Sequence, residues 1–409
     1  MRFDRRTCLG SLASGAFAFG FAPMLRLSAS ESTTTKQRPF RRCVILWMDG
    51  GPSQLDTFDP KPGSPRRSIP TSLPNVQFAE TLPKLANRAE NLCLLRSVGS
   101  GEGEHARATE LLHTGFAPIP SFPRPSLGSM VTREQPVSDF PRYVTLGGKG
   151  FGPAFLGSEY APFVIEDLSS AHQQLQRIAS KRRSVELLQT LNDIHRVDGG
   201  PQSLSQRANA VKSVGQLLDT DFPNAIDSNQ AAETDRQRYG MSPFSQRMLA
   251  ARRLLEIGVP FVEVQLSGWD THIDNQSKTD ALCRQFETPF VALIDDLQDL
   301  DLWDDTLVVW MGEFGRTPTL NGQNGRDHFP EVTPVVLAGG KLGGQVVGAT
   351  NESGSQRIGP RHSVADLMAT LLTLLGADVD QEYTTDFGSP TTVTDSGTPI
   401  EEIVQAVMA

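Results

Sequence analysis

Five short apolar runs, most of them ending at a glycine or a polar cluster, constrain the fold of this chain more than any other feature. They cover residues 43–48, 92–98, 259–266, 306–311 and 333–338. Continuous apolar runs of this length are typical of strands buried on both faces of a parallel sheet. Segments with helical periodicity alternate with them. The sequence therefore predicts a doubly wound α/β fold with a mostly parallel sheet.

Helical periodicity fills the stretches between these runs. Apolar residues recur every three or four positions in residues 82–91, 107–113, 173–194, 202–218, 243–257, 278–300 and 363–375. The stretch 167–257 is mostly helical with polar faces, so we expect a helical insertion that covers one face of the sheet. No internal repeat or clear linker is visible, which predicts a single α/β domain over residues 42–405.

The first thirty residues read as an export signal. Arg5 and Arg6 precede a modest apolar stretch rich in glycine and alanine, which resembles a twin-arginine signal peptide. A buried N-terminal helix is the alternative, but three glycines and Pro23 make the stretch a poor core helix. The pattern predicts a signal over residues 1–30, a flexible leader over 31–41, and export to the periplasm, the cell envelope or the medium. No transmembrane span is expected in the mature chain.

The charge of the chain argues against one class of partner. Its 38 Lys and Arg face 47 Asp and Glu, a net charge of −9. Nucleic-acid-binding domains normally carry a basic excess, so we expect no nucleic-acid partner. The four cysteines form no C-x-x-C pair, which indicates neither a disulfide framework nor a zinc ribbon.

Polar clusters lie at the ends of the apolar runs. Carboxylates and imidazoles dominate them: Asp49, His105, Asp270, His272, Glu313, Asp327 and His328. In open parallel α/β sheets, ligands bind at the carboxyl ends of the strands. Mixed imidazole and carboxylate ligands suit Zn²⁺, Mn²⁺ or Fe²⁺, whereas all-oxygen sites suit Ca²⁺ or Mg²⁺. We therefore predict one or two divalent metal ions at this edge, where two metals can clamp a phosphoryl or sulfuryl transition state.

Some of these residues also have a purely structural interpretation. Asp270 and His272 point to the same side of an extended backbone, but the pair can equally be a turn-stabilising Asp and a surface His. Asp327 and His328 can be an ordinary loop pair. His113, eight residues after His105 on the same helical pattern, reads as a core or surface histidine.

Further side chains near the strand ends are candidates for substrate contacts. Ser53 and Asp56 either form an S-x-x-D helix capping box or face a substrate, and Trp269 could stack on a ligand. Arg316 either bridges to Glu313 or binds an anionic substrate as a planar fork. A serine hydrolase is the main rival chemistry, but the chain has no G-x-S-x-G elbow.

Five motifs occur in order along the chain. They are Gly50-Gly-Pro-Ser-Gln-Leu-Asp-Thr-Phe-Asp-Pro-Lys-Pro62, Gly268-Trp-Asp-Thr-His272, Gly312-Glu-Phe-Gly-Arg-Thr-Pro318, Gly325-Arg-Asp-His328 and Gly343-Gly-Gln-Val-Val-Gly-Ala-Thr350. Together they resemble domain-of-unknown-function family 1501, a family of exported bacterial proteins grouped with the alkaline phosphatase/sulfatase superfamily. The resemblance spans roughly residues 40–405. It implies an alkaline phosphatase-like, three-layer α/β/α sandwich whose members act on phosphate or sulfate esters with two divalent metals.

The superfamily pattern can be carried over position by position. It implies that Asp49, at the end of the first strand, is a metal ligand. Its nucleophile lies nine residues before the Thr of a Thr-Gly pair, and Thr114-Gly115 places His105 there. A histidine cannot become formylglycine or act as a serine alkoxide. His105 is therefore implied as a phosphoryl-accepting nucleophile, a metal ligand or a mark of lost activity.

The remaining metal positions of the superfamily match in part. Asp270 and His272 fall where the superfamily has an Asp…His metal pair, although at a shorter spacing. His328 matches its last metal histidine. Glu313 replaces an aspartate whose neighbouring histidine is missing, and Asp327 can supply a further ligand.

Two functions are consistent with these residues. The first is an exported metal-dependent hydrolase of sulfate or phosphate esters, in which Arg316 orients an anionic ester or an acidic glycan. The second is a non-catalytic binding protein of the cell envelope on a decayed sulfatase or phosphatase scaffold. The loss of the usual nucleophile at His105 motivates the second function.

Overall fold

A central sheet of eight strands organises the protein. The computed structural model describes residues 38–136, 138–183, 215–385, 388 and 390–409. The strands are β1 (Arg42–Asp49), β2 (Leu92–Leu95), β3 (Tyr143–Leu146), β4 (Phe163–Ile165), β5 (Phe261–Ser267), β6 (Thr306–Met311), β7 (Val335–Ala338) and β8 (Gln345–Val347). Their order is β8-β2-β7-β6-β1-β5-β3-β4, and only β7 is antiparallel to its neighbours. The prediction of a mostly parallel α/β sheet is confirmed.

Helices cover both faces of this sheet. They are α1 (Pro83–Ala86), α2 (His105–Thr114), α3 (Leu127–Arg133), α4 (Leu168–Ser180), α5 (Phe222–Ile226), α6 (Glu233–Tyr239), α7 (Pro243–Glu256), α8 (Asn275–Asp299), α9 (Val364–Leu374) and α10 (Glu401–Met408). Helices α1 and α4–α8 contribute to one apolar core, and α2, α3, α9 and α10 contribute to the other. The protein is therefore a three-layer α/β/α sandwich.

Strand β1 shows why the apolar runs were informative. Successive side chains of a strand point to opposite faces of the sheet. Val44, Leu46 and Met48 accordingly belong to the core on one face. Cys43 and Ile45 belong to the core on the other face. A strand with a core on each side must be apolar at every position, which is the pattern that predicted it.

Short two-stranded ribbons decorate the sandwich. They pair Ser68–Pro70 with Gln77–Ala79, Val98–Gly99 with His362–Ser363, Gly315–Arg316 with His328–Phe329, Ala349–Thr350 with Arg357–Ile358, and Tyr383–Thr384 with Pro390–Thr391. The ribbon that joins Arg316 to His328 matters most, because it ties the loop after β6 to the loop before β7.

Four described helices lie within the stretch for which a helical insertion is predicted. Within residues 167–257, helices α4–α7 all contribute to the core that contains Val44. Residues 184–214 lie outside the described part of the chain, and so do most of the helix predicted over 202–218 and the end of the one predicted over 173–194. The predicted signal over residues 1–30 lies outside it as well.

The structure also departs from the sequence predictions. Strands β3, β4 and β8 are only three or four residues long, too short to show a period, and none of them was predicted. The run that forms β7 is antiparallel to its neighbours. The sequence could not predict this, because an apolar run does not indicate the direction of its strand. The predicted leader ends too late, since Phe40 is fully buried and its N–H donates to the carbonyl of Leu374. Within the described ranges, no helix combines the length and the apolar character needed to cross a bilayer.

The first turn of α9 makes a prediction about acid stability. Asp366 accepts hydrogen bonds from the Ser363 N–H and hydroxyl and from the Thr398 N–H. Burial opposes charge on Asp366, but these donors lower its pKa below the usual value. A lowered folded-state pKa gives stability that is present above the unfolded value of about 3.9 and is lost as the pH falls through the folded value.

Asp366→Ala should therefore cost about 1–2 kcal/mol of unfolding free energy at pH 7, and less at pH 3. Urea denaturation at both pH values measures the difference. Asp380→Ala, at an exposed turn position, is the control. An equal loss at both pH values would contradict the assignment.

Candidate metal centre

Four chain segments meet at one edge of the sheet. Strands β1, β5 and β6 have their carboxyl ends there, and the antiparallel β7 has its amino end there, since Val335 pairs with Met311. The loops at this edge carry Asp49, Asp270, Glu313 and His328. Because β7 runs in the opposite direction, His328, which precedes β7, lies at the same edge as Asp270 and Glu313, which follow β5 and β6.

Two glycines let these loops approach one another. Gly50 has φ +112°, and a Cβ there would lie 2.3 Å from the backbone nitrogen of Asp270. Gly51 has φ +78°, and its Cβ would lie 2.7 Å from the ring of Phe314. Residues with a side chain rarely adopt such φ values and would clash here. The Gly-Gly pair is therefore needed to bring the ends of β1, β5 and β6 together.

Helix α2 contributes a histidine to the same group of side chains. The helix begins after Glu104, whose side chain accepts the N–H groups of Ala106 and Arg107, and it ends at Gly115 in the left-handed conformation. These caps place His105 at the first helical position. Its Nδ1 lies 2.7 Å from Oε1 of Glu313, a carboxylate that also accepts the N–H of Gly50.

Each of three histidines directs its own Nε2 atom towards the same carboxylate oxygen. The Nε2 atoms of His105, His272 and His328 lie 3.4, 3.2 and 3.5 Å from Oδ1 of Asp270. Each Nδ1 atom is held by an acceptor: Glu313 for His105, Asp327 for His272 at 2.9 Å, and the Gly103 carbonyl for His328 at 2.7 Å. Metal-binding histidines typically donate their second N–H in this way.

The Nε2 atoms of His272 and His328 lie only 2.8 Å apart. Both Nδ1 atoms face acceptors, and in the tautomers that donate to those acceptors the two Nε2 atoms present lone pairs to each other. A proton or a metal cation must lie between them. Burial, the largest effect, lowers the pKa of His328 and disfavours an imidazolium there. A metal cation is therefore the better partner for these two nitrogens.

The dimensions of the group suit a metal ion. The ligand atoms of His105, Asp270 and His328 all lie within 4.8 Å of one another. Bonds of roughly 2.0–2.1 Å in a tetrahedron separate neighbouring ligand atoms by about 3.3 Å, close to the distances to Asp270. The Nε2 atom of His105 is buried and has no hydrogen-bond partner among the described residues. An orphaned buried nitrogen of this kind needs an explanation, which a metal would supply.

The charges around the group also favour a cation. Three carboxylates, from Asp270, Glu313 and Asp327, face one guanidinium, from Arg316, which leaves a formal charge of −2 with neutral imidazoles. Burial raises the pKa of Asp270, but the guanidinium of Arg316, 2.6 Å away, brings that pKa below its usual value. The hydrogen bond that His105 Nδ1 donates to the carboxylate of Glu313, opposed by burial, raises the pKa of His105. A divalent ion would balance this excess of negative charge.

The predicted role of Arg316 in binding an anion is wrong in this structure. Its side chain is fully buried, and every nitrogen has a protein acceptor. Nε donates to the Gly51 carbonyl, Nη1 to the Arg326 carbonyl, and Nη2 to the Gly50 carbonyl and Asp270. Arg316 is therefore a positioning residue that fixes the carboxylate of Asp270.

Three predicted metal ligands have other positions. Both oxygens of Glu313 accept the Gly50 N–H, and Oε1 also contacts His105, so Glu313 orients a ligand. Asp327 does the same for His272. The carboxylate of Asp49 lies outside the group of three ligands and faces an adjoining cleft.

The three predicted substrate contacts lie in the interior instead. Ser53 and Asp56 are at most 2% exposed, and the Ser53 hydroxyl accepts the N–H of Asp56, as the capping pattern suggested. Asp56 forms a buried ion pair with Arg326. Trp269 is 1% exposed and packs against other aromatic rings. None of these side chains can reach a substrate in this structure.

Sequence reasoning missed two supports of the centre. The carbonyl of Gly103 orients His328, and the amide of Asn321 donates to Asp327 at 2.9 Å and to the His272 carbonyl at 3.0 Å. A backbone carbonyl and a loop asparagine carry no motif. Only their distance from the histidines reveals them.

Glu313 provides a test of this arrangement. Glu313→Gln keeps the shape but loses the charge that holds His105 Nδ1 and the Gly50 N–H. We expect a 10- to 100-fold loss of metal affinity, the usual effect of removing a group that orients a ligand. Titration against a metal chelator measures it. Glu331→Gln, which pairs with Arg357 outside the centre, should bind metal normally, and equal affinities for the two variants would refute the role of Glu313.

A family model and several solved structures match this chain. A family model described as protein of unknown function (DUF1501) matches residues 40–404. Similar solved structures include the PsFucS1 sulfatase from Pseudoalteromonas sp., with a TM-score of 0.41 and 13% identity over 83% of this chain and 68% of that chain. A protein in the alkaline phosphatase superfamily from Vibrio parahaemolyticus gives 0.39 and 14% over 84% and 68%. No curated protein matches the chain.

Another similar structure is the lipoteichoic acid synthase LtaP from Listeria monocytogenes. It has a TM-score of 0.37 and 12% identity over 86% of this chain and 75% of that chain. TM-scores and identities at this level carry no activity from one protein to another. The function has to be argued from the residues of the centre itself.

Proposed function

The chain belongs to the DUF1501 family, and we propose that it is a divalent-metal-dependent hydrolase of phosphate or sulfate esters. One observation carries the proposal. The Nε2 atoms of three histidines converge on one carboxylate oxygen, and each Nδ1 atom is held by a separate acceptor. An arrangement with three oriented imidazoles fits a metal and has no evident structural purpose.

Each residue of the centre has a role under this proposal. His105, Asp270 and His328 would hold the metal, and His272 would supply a third nitrogen beside them. A divalent ion bound there would polarise an ester oxygen and lower the pKa of a nearby water. Three nitrogen donors favour Zn²⁺, Mn²⁺ or Fe²⁺ over Ca²⁺ and Mg²⁺, which prefer oxygen.

Among the roles open to His105, its surroundings favour that of a ligand. Its Nδ1 is bonded to a carboxylate and its Nε2 faces Asp270, as for His272. Arg316 keeps Asp270 ionised and in place. Because the guanidinium is buried and each of its nitrogens has a protein acceptor, a bound metal would have to attract the anionic ester.

The experiment starts from the purified protein, whose metal content is measured by elemental mass spectrometry. Hydrolysis of 4-nitrophenyl phosphate and 4-nitrophenyl sulfate is then followed with Zn²⁺, Mn²⁺ or Fe²⁺ and after chelation. We expect about one ion per chain or more, and turnover of at least one ester that chelation abolishes. A metal-free protein, or turnover that survives chelation, would overturn the proposal.

One observation favours the second candidate, a non-catalytic binding protein. Among the described residues, no serine, threonine or cysteine side chain forms a hydrogen bond with His105, Asp270 or His328, and Cys43, Cys93 and Cys283 are buried. A nucleophile other than water is therefore not supplied at the centre. Stoichiometric metal without turnover of any ester in a broad panel would support this candidate.

We also propose that the protein is exported by the twin-arginine route. Arg5 and Arg6 support this, and the route carries proteins that have folded around a metal. Replacing both with lysine should leave the protein in the cytoplasm, as fractionation and immunoblotting would show. Lysine at Arg41 and Arg42 is the control, and normal export of the Arg5/Arg6 variant would contradict the route.

A further inference from the structure

Four oxygen atoms converge on the buried guanidinium of Arg316, next to the candidate metal centre. They are Oδ1 of Asp270 and the backbone carbonyls of Gly50, Gly51 and Arg326. Carboxylate and carbonyl oxygens are also the ligands that Ca²⁺, Mg²⁺ and Mn²⁺ prefer. A guanidinium donates hydrogen bonds to such oxygens and carries a permanent positive charge. Arg316 therefore fills, with its own charge, a position whose oxygens suit a metal cation.

The ligands at the centre are sufficient for one ion. In the part of the chain that the structure describes, His105, Asp270 and His328 form the single group of three metal-binding side chains. The Nε2 atom of His272 lies 3.2 Å from the same oxygen of Asp270, so it completes a set of three nitrogens and one oxygen. Four ligands of this kind fill the tetrahedral shell that an ion such as Zn²⁺ prefers. A second ion would need ligands from elsewhere.

The two carboxylates beside this set already hold its imidazoles in place. Oε1 of Glu313 lies 2.7 Å from Nδ1 of His105. Oδ1 of Asp327 lies 2.9 Å from Nδ1 of His272 and accepts the amide of Asn321 at 2.9 Å. A second ion on either carboxylate would compete with the hydrogen bond that orients a ligand of the first ion, and such bonds contribute strongly to metal affinity.

The charges of the centre lead to the same stoichiometry. The carboxylates of Asp270, Glu313 and Asp327 and the guanidinium of Arg316 sum to a formal charge of −2, which one divalent ion neutralises. A second divalent ion would leave a net positive charge beside Arg316, which is itself fully buried. Uncompensated charge in the interior is costly. Without the guanidinium, the same carboxylates would instead attract more than one divalent ion.

We propose that the centre holds a single divalent ion and that the guanidinium of Arg316 takes the place of a second one. The superfamily resemblance implies two metals, so this chain departs from that pattern. In two-metal sites, ions about 3.5–4 Å apart stabilise the attacking and the leaving oxygen, and a centre with one ion lacks this symmetric clamp. The inference rests on the proposed metal-dependent function, whose metal stoichiometry it defines.

Metal stoichiometry tests the inference without turnover. The full-length protein is stripped with a chelator and titrated with Mn²⁺, and binding is followed by elemental mass spectrometry and electron paramagnetic resonance. We expect saturation at one ion per chain and the hyperfine-split spectrum of an isolated Mn²⁺ ion. Saturation at two ions, with a spectrum broadened by coupling between them, would overturn the inference. Loss of that second ion in Asp49→Asn would then identify Asp49 as its ligand.

Variants of Arg316 test its part in this stoichiometry. Arg316→Ala leaves the four oxygens and removes the charge, so it should bind a second Mn²⁺ ion per chain. Arg316→Lys keeps a positive charge and should bind one. Arg67→Ala, which breaks an exposed ion pair with Glu80, is the control and should also bind one. A folded Arg316→Ala variant that saturates at one ion would refute the role of Arg316, and so would a second ion in Arg316→Lys, which tests the role even where Arg316→Ala folds poorly.

The proposed function and the inferred stoichiometry can fail separately. One ion per chain without hydrolysis of any ester would remove the hydrolase and leave the stoichiometry. Ester hydrolysis that requires two ions per chain would do the reverse. A protein that binds no metal would overturn both.

Discussion

Under the proposed function, His328→Ala should lower the affinity of the protein for a divalent metal about 100-fold and abolish ester hydrolysis. A four-ligand site binds with roughly 12 kcal/mol of apparent free energy, so one ligand contributes about 3 kcal/mol, or two orders of magnitude. His328 is central because its Nε2 lies 2.8 Å from that of His272 and 3.5 Å from Asp270. Elemental mass spectrometry after dialysis against a weak chelator measures the loss.

The control for this prediction is another histidine with an acidic neighbour. His172 lies in α4, with Nε2 3.4 Å from Asp227, away from the centre. His172→Ala should keep its metal. Asp270→Ala should lose metal as His328→Ala does, because Asp270 and His328 belong to the same group of three candidate ligands. A His328→Ala variant with full metal content would show that the ion binds elsewhere.

Asp56→Ala should destabilise the folded protein by about 3–5 kcal/mol, the usual cost of breaking a buried ion pair. Asp56 and Arg326 are both fully buried, with Arg326 Nε 2.7 Å from Oδ2 of Asp56. Asp56 also accepts the amide of Asn275 at 2.9 Å and faces Arg66 at 3.6 Å. Alanine would leave the guanidinium of Arg326 without a counter-charge in the core.

Urea denaturation monitored by circular dichroism measures this cost. Glu80→Ala is the matched control, because it breaks an exposed ion pair with Arg67 and should cost no more than about 1 kcal/mol. A similar small loss in Asp56→Ala would mean that water or another group compensates Arg326. Arg326 directly precedes Asp327 and His328, so the variant should also bind metal more weakly than the wild type.

Local sequence patterns were sufficient for the layers of the fold. The apolar run that became β1 was predicted within one residue at either end, and β6 was predicted over Thr306–Met311 itself. Both strands pack against a core on each face, so nearly every residue in them has to be apolar, and the run is visible in the sequence. The strands that were missed are short, and β4 includes an exposed residue, Val164. Strands β3 and β4 are placed by pairing with β5 through β3, and β8 is placed by pairing with β2, which no local pattern encodes.

The candidate centre was predictable in location but not in detail. Strand ends of one sheet must meet at an edge, so the clusters around Asp270, Glu313 and His328 could be expected together. Which of these side chains faces the centre depends on partners far away in the chain. Glu313 contacts His105 across 208 residues, and His272 contacts His328 across 56.

The sequence by itself determined the sheet, the helices that cover it and the edge at which its polar residues collect. These features follow from periodicity and from the burial that a core demands of neighbouring residues. Tertiary structure alone decided that Arg316 holds the carboxylate of Asp270 and that Asp56 neutralises Arg326. Each of these outcomes depends on distances between segments up to 270 residues apart, because a charged side chain takes its role from the groups that surround it in space.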